Sequence, residues 1–252
     1  MDNLDRLNAK LRARERIFGY TVYMPDQYVL GEYMPDGVDF ILFDCEHGPY
    51  DIDHYAPYFR LCREKGIPTI TRVPDATYPP ISHVADLGCD GIMVPRVESL
   101  EQVKIAVEGL YLPPDGKKGF GGKWQFYPGE TIEEYRRRRM IWIQIESRKG
   151  AELLPEILKQ NGAYISACII GPMDLSINLG TPLEIWTDEA AEVVQSVFSQ
   201  CEAAGITSGI YANNEADAAR RVAQGANLLW VTCDAFYLTR AIAQVAQTIK
   251  NL

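Results

Sequence analysis

Eight times along this chain a short apolar run gives way to a longer amphipathic stretch, always in that order. The runs are Phe18–Tyr23, Phe40–Phe43, Thr69–Arg72, Gly91–Val94, Met140–Ile145, Tyr164–Ile169, Thr207–Tyr211 and Leu228–Val231. The stretches that follow them are Asp26–Met34, Ile52–Lys65, Ile81–Leu87, Leu100–Tyr111, Ala151–Gln160, Glu189–Ala204, Glu215–Gln224 and Phe236–Ile249. Parallel strands need a long crossover, usually helical, so the alternation predicts βα units around a parallel sheet. Four helices meet a stop signal at Lys65-Gly66, Leu87-Gly88, Ala204-Gly205 and Gln224-Gly225, each shortly before the next strand. Eight strands and eight helices in strict order favour a closed barrel over an open doubly wound sheet. The length of 252 residues suits that fold, which typically takes about 250. With no low-complexity linker, the expected architecture is α/β, a single (β/α)8 TIM-type barrel over residues 1–252. Residues 1–17 are expected to form a short helical extension.

Composition narrows the function classes. The apolar fraction of 47% is enough for a large core. No apolar run approaches the roughly 20 residues needed to cross a bilayer, and Met1 to Arg16 lacks an apolar signal core, so a cytoplasmic protein is expected. A formal charge of -9 argues against nucleic acid as a partner, because phosphate backbones demand basic surfaces. Six cysteines, none in a CxxC pair and several within apolar runs, are expected to be buried reduced thiols. One long connection, Leu112 to Arg139, breaks the rhythm with glycines, lysines and the aromatics Phe120 and Trp124 in its first part, Pro113–Trp124. Such loops are commonly functional or disordered, and this one is expected to overhang the barrel mouth. The Arg136–Arg139 run after it reads as a solvated helix face.

In a (β/α)8 barrel the C-terminal strand ends share one mouth, where catalysis occurs. Here those ends supply Asp44-Cys45-Glu46-His47-Gly48-Pro49, Arg72, Pro95-Arg96, Glu146, Gly171-Pro172-Met173-Asp174 and Asp234. Gathering carboxylates is costly unless they hold a cation or pair with arginine. Glu146 and Asp174 follow adjacent strands, about 4.8 Å apart, and oxygen donors suit Mg²⁺ or Mn²⁺; an N-cap role for Asp174 is the alternative. His47 is a candidate general acid or base, since imidazole normally titrates near neutral pH. His54 and His83 fall within predicted helices and read as structural. Arg72 offers a planar fork to a carboxylate or enolate oxygen, or else neutralises Asp44 or Glu46. A Schiff-base aldolase needs a desolvated lysine on a strand. No predicted strand contains one.

At these residues the sequence resembles the metal-dependent 2-oxo acid aldolases that include 4-hydroxy-2-oxoheptanedioate aldolase and 2-keto-3-deoxy-L-rhamnonate aldolase. The matching segments are Phe43–Pro49, Gly91–Ser99, Gln144–Ser147 and Ile170–Ser176. The resemblance implies a (β/α)8 barrel with a swapped C-terminal helix, assembled as a homohexamer or trimer. It further implies a divalent cation (Mg²⁺, Mn²⁺ or Co²⁺) on Glu146 and Asp174, and an enolate stabilised by Arg72. By the same likeness His47 is the base, Asp86 its dyad partner within the chain or from a neighbouring subunit, and Gly171, Pro172 and Met173 meet the substrate. Asp44 and Glu46 stand behind them as supports. Met173, where relatives commonly carry a small or polar residue, and the 112–127 loop depart from the pattern.

The implied reaction is reversible retro-aldol cleavage of a 4-hydroxy-2-oxo acid. Its products are pyruvate, or a close 2-oxo acid such as hydroxypyruvate, and an aldehyde, as in the breakdown of aromatic or sugar acids. The partners expected are therefore small molecules and further copies of the chain, with no membrane. A CoA-ester lyase of the citryl- or malyl-CoA type is the nearest rival. It is disfavoured by the shorter chain and the lack of an evident basic nucleotide platform. A catalytically silent metabolite-binding barrel is disfavoured by Glu146, Asp174, Arg72 and His47 occurring together.

Overall fold

The computed structural model of the protein describes residues 2–32, 34 and 36–251. Eight parallel strands close into a barrel in chain order: β1 (Ile17–Thr21), β2 (Phe40–Asp44), β3 (Thr69–Arg72), β4 (Gly91–Val94), β5 (Met140–Ile145), β6 (Ile165–Ile170), β7 (Thr207–Ala212) and β8 (Leu228–Cys233). The helices among the described residues are α1 (Asn3–Ala13), α2 (Gln27–Glu32), α3 (Ile52–Glu64), α4 (Tyr78–Asp86), α5 (Leu100–Leu110), α6 (Ile132–Arg138), α7 (Arg148–Asn161), α8 (Pro172–Asn178), α9 (Asp188–Ala203), α10 (Glu215–Ala223) and α11 (Asp234–Lys250). The expected barrel is the one observed. Of the predicted Asp26–Met34 helix, Tyr33 lies outside the described residues and Met34 is not helical.

Period-two alternation sorts each strand. Ile41, Phe43, Ile141, Ile143 and Ile145 join the core beneath the helices. Phe40, Leu42, Ile70, Met140, Trp142 and Trp230 fill the barrel interior instead. Carried on to the strand ends, the inner series reaches Asp44 on β2, Arg72 on β3 and Gln144 on β5. Polar side chains therefore cap an apolar barrel at one end. At the other end α1 closes the floor: Leu4, Leu7 and Leu11, spaced along one helical face, join the interior cluster.

Glycines end the helices where expected. Gly66, Gly88, Gly205 and Gly225 all have positive φ, the left-handed backbone that glycine adopts without a Cβ penalty. Some helix starts differ from expectation. α4 begins earlier because Pro79 and Pro80 occupy its first turn, where no amide donor is needed. α6, expected only as the helix face of the Arg136–Arg139 run, begins at Ile132, where Thr131 and Glu134 form a reciprocal capping box.

Two expectations about the long connection are corrected. Helices run back against the strands, so a segment joining α5 to β5 lies at the end of the barrel where strands begin, opposite the mouth. Its contacts agree: Tyr127 donates to Asp90 beside the start of β4, at 2.9 Å. The Arg136–Arg139 run is only partly solvated, since Arg138 and Arg139 are buried in ion pairs to Asp5 and Glu130.

α11 departs from the barrel with no buried residue. Phe236, Leu238, Ile242, Val245 and Ile249 are all exposed along it. No helix of the described residues is long and apolar enough to cross a membrane. The six cysteines carry no disulfide, and all but the half-buried Cys45 are buried.

Candidate active site

The end of β2 turns Asp44 into the barrel, fully buried. Its carboxylate accepts Nε and Nη2 of Arg72 at 2.8 and 2.6 Å and the Tyr23 hydroxyl at 3.0 Å. The backbone amides of Glu46 and His47 donate to it at 3.1 and 3.3 Å. Burial alone would raise the Asp44 pKa, but the Arg72 fork and these amides outweigh it and hold the group below the usual carboxylate range. The turn doubles back so tightly that a Cβ on Gly48 would lie 1.9 Å from the Asp44 carbonyl oxygen. Only glycine fits there.

Arg72 is itself 5% exposed. Its Nη1 lies 3.1 Å from Glu46 Oε2, without hydrogen-bonding alignment, and 3.5 Å from Gln144 Oε1. The guanidinium stands 5.1 Å from the Trp230 ring centre. The pairing with Asp44 and Glu46 weighed as an alternative role for Arg72 is thus present, and its Nη1 edge still faces the cavity residue Gln144. Burial keeps the Glu46 carboxyl above its ordinary pKa despite the opposing charges of Arg72, His47 and Arg96.

Glu146 lies two residues beyond Gln144, on the same inward series. Its Oε1 accepts the Arg96 amide at 2.9 Å and its Oε2 accepts Gln144 Nε2 at 2.5 Å. Arg96 reaches that position with φ of 47°, a left-handed conformation uncommon outside glycine and frequent at functional sites. Glu146 has no ion pair among the described residues. Burial first, then the charges of Asp174 and Glu46, push its pKa up to about 8, with Arg72 and the Arg96 amide opposing. Asp174 is the third residue of α8, exposed, and its side chain makes no hydrogen bond or ion pair among the described residues. The cap residue of α8 is Gly171, so the N-cap role weighed for Asp174 is not realised.

Asp174 lines two cavities. One, of about 230 Å³, is lined by Tyr23, His47, Arg72, Gln144, Gly171, Pro172, Met173, Asp174, Tyr211, Asn213 and Trp230. The other, of about 560 Å³, includes Glu146, Asp174, Arg96, Ser147 and Lys149. Among the described residues no three His, Cys, Asp or Glu side chains form a ready-made cation cage. The pair Glu146 and Asp174 would leave positions for water and substrate, as sites for Mg²⁺ commonly do.

His47 is exposed, with Nε2 3.7 Å from Glu46 Oε2. Asp86 stands elsewhere. It ends α4, pairs with Lys118 Nζ, and does not line the cavity that holds His47. Within one chain it forms no dyad with His47. Of the remaining histidines, His54 stacks on Tyr50 at 3.8 Å and His83 pairs with Asp53 at 2.6 Å. Asp234, also assigned to the mouth, binds the amides of Tyr23 and Met24 at 2.9 and 3.0 Å and fastens the end of β1 to the start of α11.

With a barrel of this kind and these strand ends in place, comparison with known proteins decides the family: the profile of the HpcH/HpaI aldolase/citrate lyase family matches residues 22–241. The chain belongs to the HpcH/HpaI aldolase/citrate lyase family. Its curated relatives include 5-keto-4-deoxy-D-glucarate aldolase of Escherichia coli strain K12, 28% identical over 219 residues, covering 85% of each chain. Among solved structures it resembles an HpcH/HpaI aldolase from Desulfitobacterium hafniense DCB-2. That likeness has 28% identity, covers 98% of this chain and 97% of the other, and has a TM-score of 0.89. The fold is shared by the citrate lyase beta subunit of M. tuberculosis, described as complexed with oxaloacetate and magnesium. That match has 17% identity, 89% and 93% coverage, and a TM-score of 0.56.

The protein is therefore an aldolase or lyase of the HpcH/HpaI family, and its cavity contains residues that sequence reasoning did not single out. Gln144, Tyr211 and Trp230 occupy inward positions near strand ends, so alternation counted from Trp142 and Leu228 would have found Gln144 and Trp230. Tyr23 and Asn213 lie beyond their strands, in connections whose path has no sequence period.

Proposed function

We propose that this family member is a divalent-metal-dependent aldolase that reversibly cleaves a 4-hydroxy-2-oxo acid into pyruvate, or a close 2-oxo acid, and an aldehyde. The observation that carries this reading is the pair Glu146 and Asp174. They are two carboxylates without ion pairs among the described residues, and Asp174 also lines the cavity that holds Arg72 and His47. Burial, joined by the charges of Asp174 and Glu46, raises the pKa of Glu146, and a hard cation on these oxygen donors would offset that cost. A distant relative of the same fold described with oxaloacetate and magnesium supports the choice of cation.

A cation held by Glu146 and Asp174 supplies Lewis-acid stabilisation of negative charge on the 2-oxo acid. The backbone at Gly171 and Met173 orients the substrate carboxylate. His47 takes the proton of the 4-hydroxyl, the C3–C4 bond breaks, its electron pair passes into the enolate, and the aldehyde departs. Arg72 donates to the enolate oxygen as its charge grows, and Asp44 fixes the guanidinium plane by its two-point bond. A proton delivered to C3 completes pyruvate.

The same proposal assigns the exposed apolar face of α11 to a neighbouring subunit in a homohexamer or trimer. Asp86 then reaches His47 from such a neighbour. Sedimentation of the full chain tests the assembly. Pyruvate release from several 4-hydroxy-2-oxo acids, with and without chelator, tests the chemistry.

A further inference from the structure

The four consecutive arginines Arg136–Arg139 are not used by the proposed chemistry. Arg138 and Arg139 turn inward to Asp5 and Glu130. Arg136 is held by Asp115 and Glu133. Arg137 remains exposed and makes no ion pair, and Arg12 of α1 is in the same condition among the described residues. Arg12, Arg136, Arg137 and Arg139 nevertheless line one cavity of about 370 Å³, between α1, α6 and the starts of β6 and β7. That volume lies within the usual range for small-molecule sites.

Charge and hydrogen bonding both leave this recess unsatisfied. Its carboxylates are Asp115 and Glu133, and Arg136 already engages both. A chain of formal charge -9 thus carries a recess with two uncommitted guanidinium groups. At its wall Arg139, 2% exposed, has an Nε with no acceptor, although buried donors are normally satisfied. Leu11, Ile206 and the Tyr164 ring offer apolar surface beside the cations.

We propose that this recess binds a small organic oxyanion, a phosphate ester or dicarboxylate of metabolite size, at the end of the barrel opposite the active site. Guanidinium forks suit both anions, and the apolar wall accommodates a carbon skeleton.

Calorimetric titration of the magnesium-supplied full chain with inorganic phosphate, phenyl phosphate and succinate tests the site. At least one probe should bind the wild type. Arg12→Ala/Arg137→Ala, which alters two exposed side chains, should weaken that probe by about tenfold or more and leave the cleavage rate unchanged. Preference for the phosphates or for succinate selects the anion class. No binding at millimolar probe, or equal affinity in the double variant, would overturn the proposal. So would binding that survives in the double variant but is lost in Arg72→Ala, because the ion would then sit in the mouth.

Discussion

Gly171 lies so close against Glu146 that a Cβ there would stand 2.2 Å from Oε2 of the carboxylate. It would also stand 2.7 Å from Gln144 Nε2, the group that orients that oxygen. The glycine is therefore a condition for the present position of Glu146. Gly171→Ala should displace the carboxylate and weaken divalent-cation binding by about 10–100-fold, the usual cost of disturbing a ligand's support. Equilibrium dialysis with Mn²⁺ checks this; wild-type affinity in the variant would contradict it.

The Glu146 pKa gives a signed pH dependence. In the folded, metal-free protein the group titrates at about 8, whereas an unfolded glutamate titrates at about 4.3. Its contribution to stability is fully present below the unfolded value and is lost as pH rises through the folded one. A bound cation removes the need for that proton, so cation affinity should rise with pH up to about 8 and binding at neutral pH should release a proton. Titration in two buffers of different ionisation enthalpy measures that release. Cation binding with no proton release at neutral pH would count against it.

Arg72 should matter more to the enolate than to bound substrate. Removing a donor aimed at developing charge typically costs about 3–4 kcal/mol, and lysine keeps the charge without the fork that grips Asp44. Both Arg72→Ala and Arg72→Lys should slow deuterium exchange at pyruvate C3, followed by NMR without aldehyde. Exchange at the wild-type rate would reduce Arg72 to a charge partner of Asp44 and Glu46.

For His47 the expected loss on His47→Ala is about 10²–10⁴-fold in kcat. Cation affinity should be largely retained, since among the described residues His47 contacts Asp44 and Glu46 and makes no hydrogen bond or ion pair to Glu146 or Asp174. An unchanged kcat and pH profile would make the residue structural.

The barrel was legible because its signals are local and repeated: apolar runs fixed the strands, and glycines such as Gly66 and Gly205 fixed the helix ends. Residues on strand ends, Asp44, Arg72 and Glu146, were legible for the same reason. Gln144 was hidden only by being read as part of a strand rather than as the end of its inward series. The 112–127 loop was misplaced because its composition suggested function, while its position after a helix dictates the floor of the barrel. Arg138 and Arg139 were read as solvated because their partners, Asp5 and Glu130, are joined to them only by the path of α1 and the long connection.

The central claim is that Glu146 and Asp174 hold a cation required for carbon–carbon cleavage. It is tested most directly by measuring pyruvate release from a 4-hydroxy-2-oxo acid in excess chelator, then after adding Mg²⁺, Mn²⁺ or Co²⁺. The same assay is run on Glu146→Gln/Asp174→Asn. The account predicts no release in chelator, recovery with added cation in the wild type, and no recovery in the double variant. Full activity of the wild type or of the double variant in chelator would contradict it.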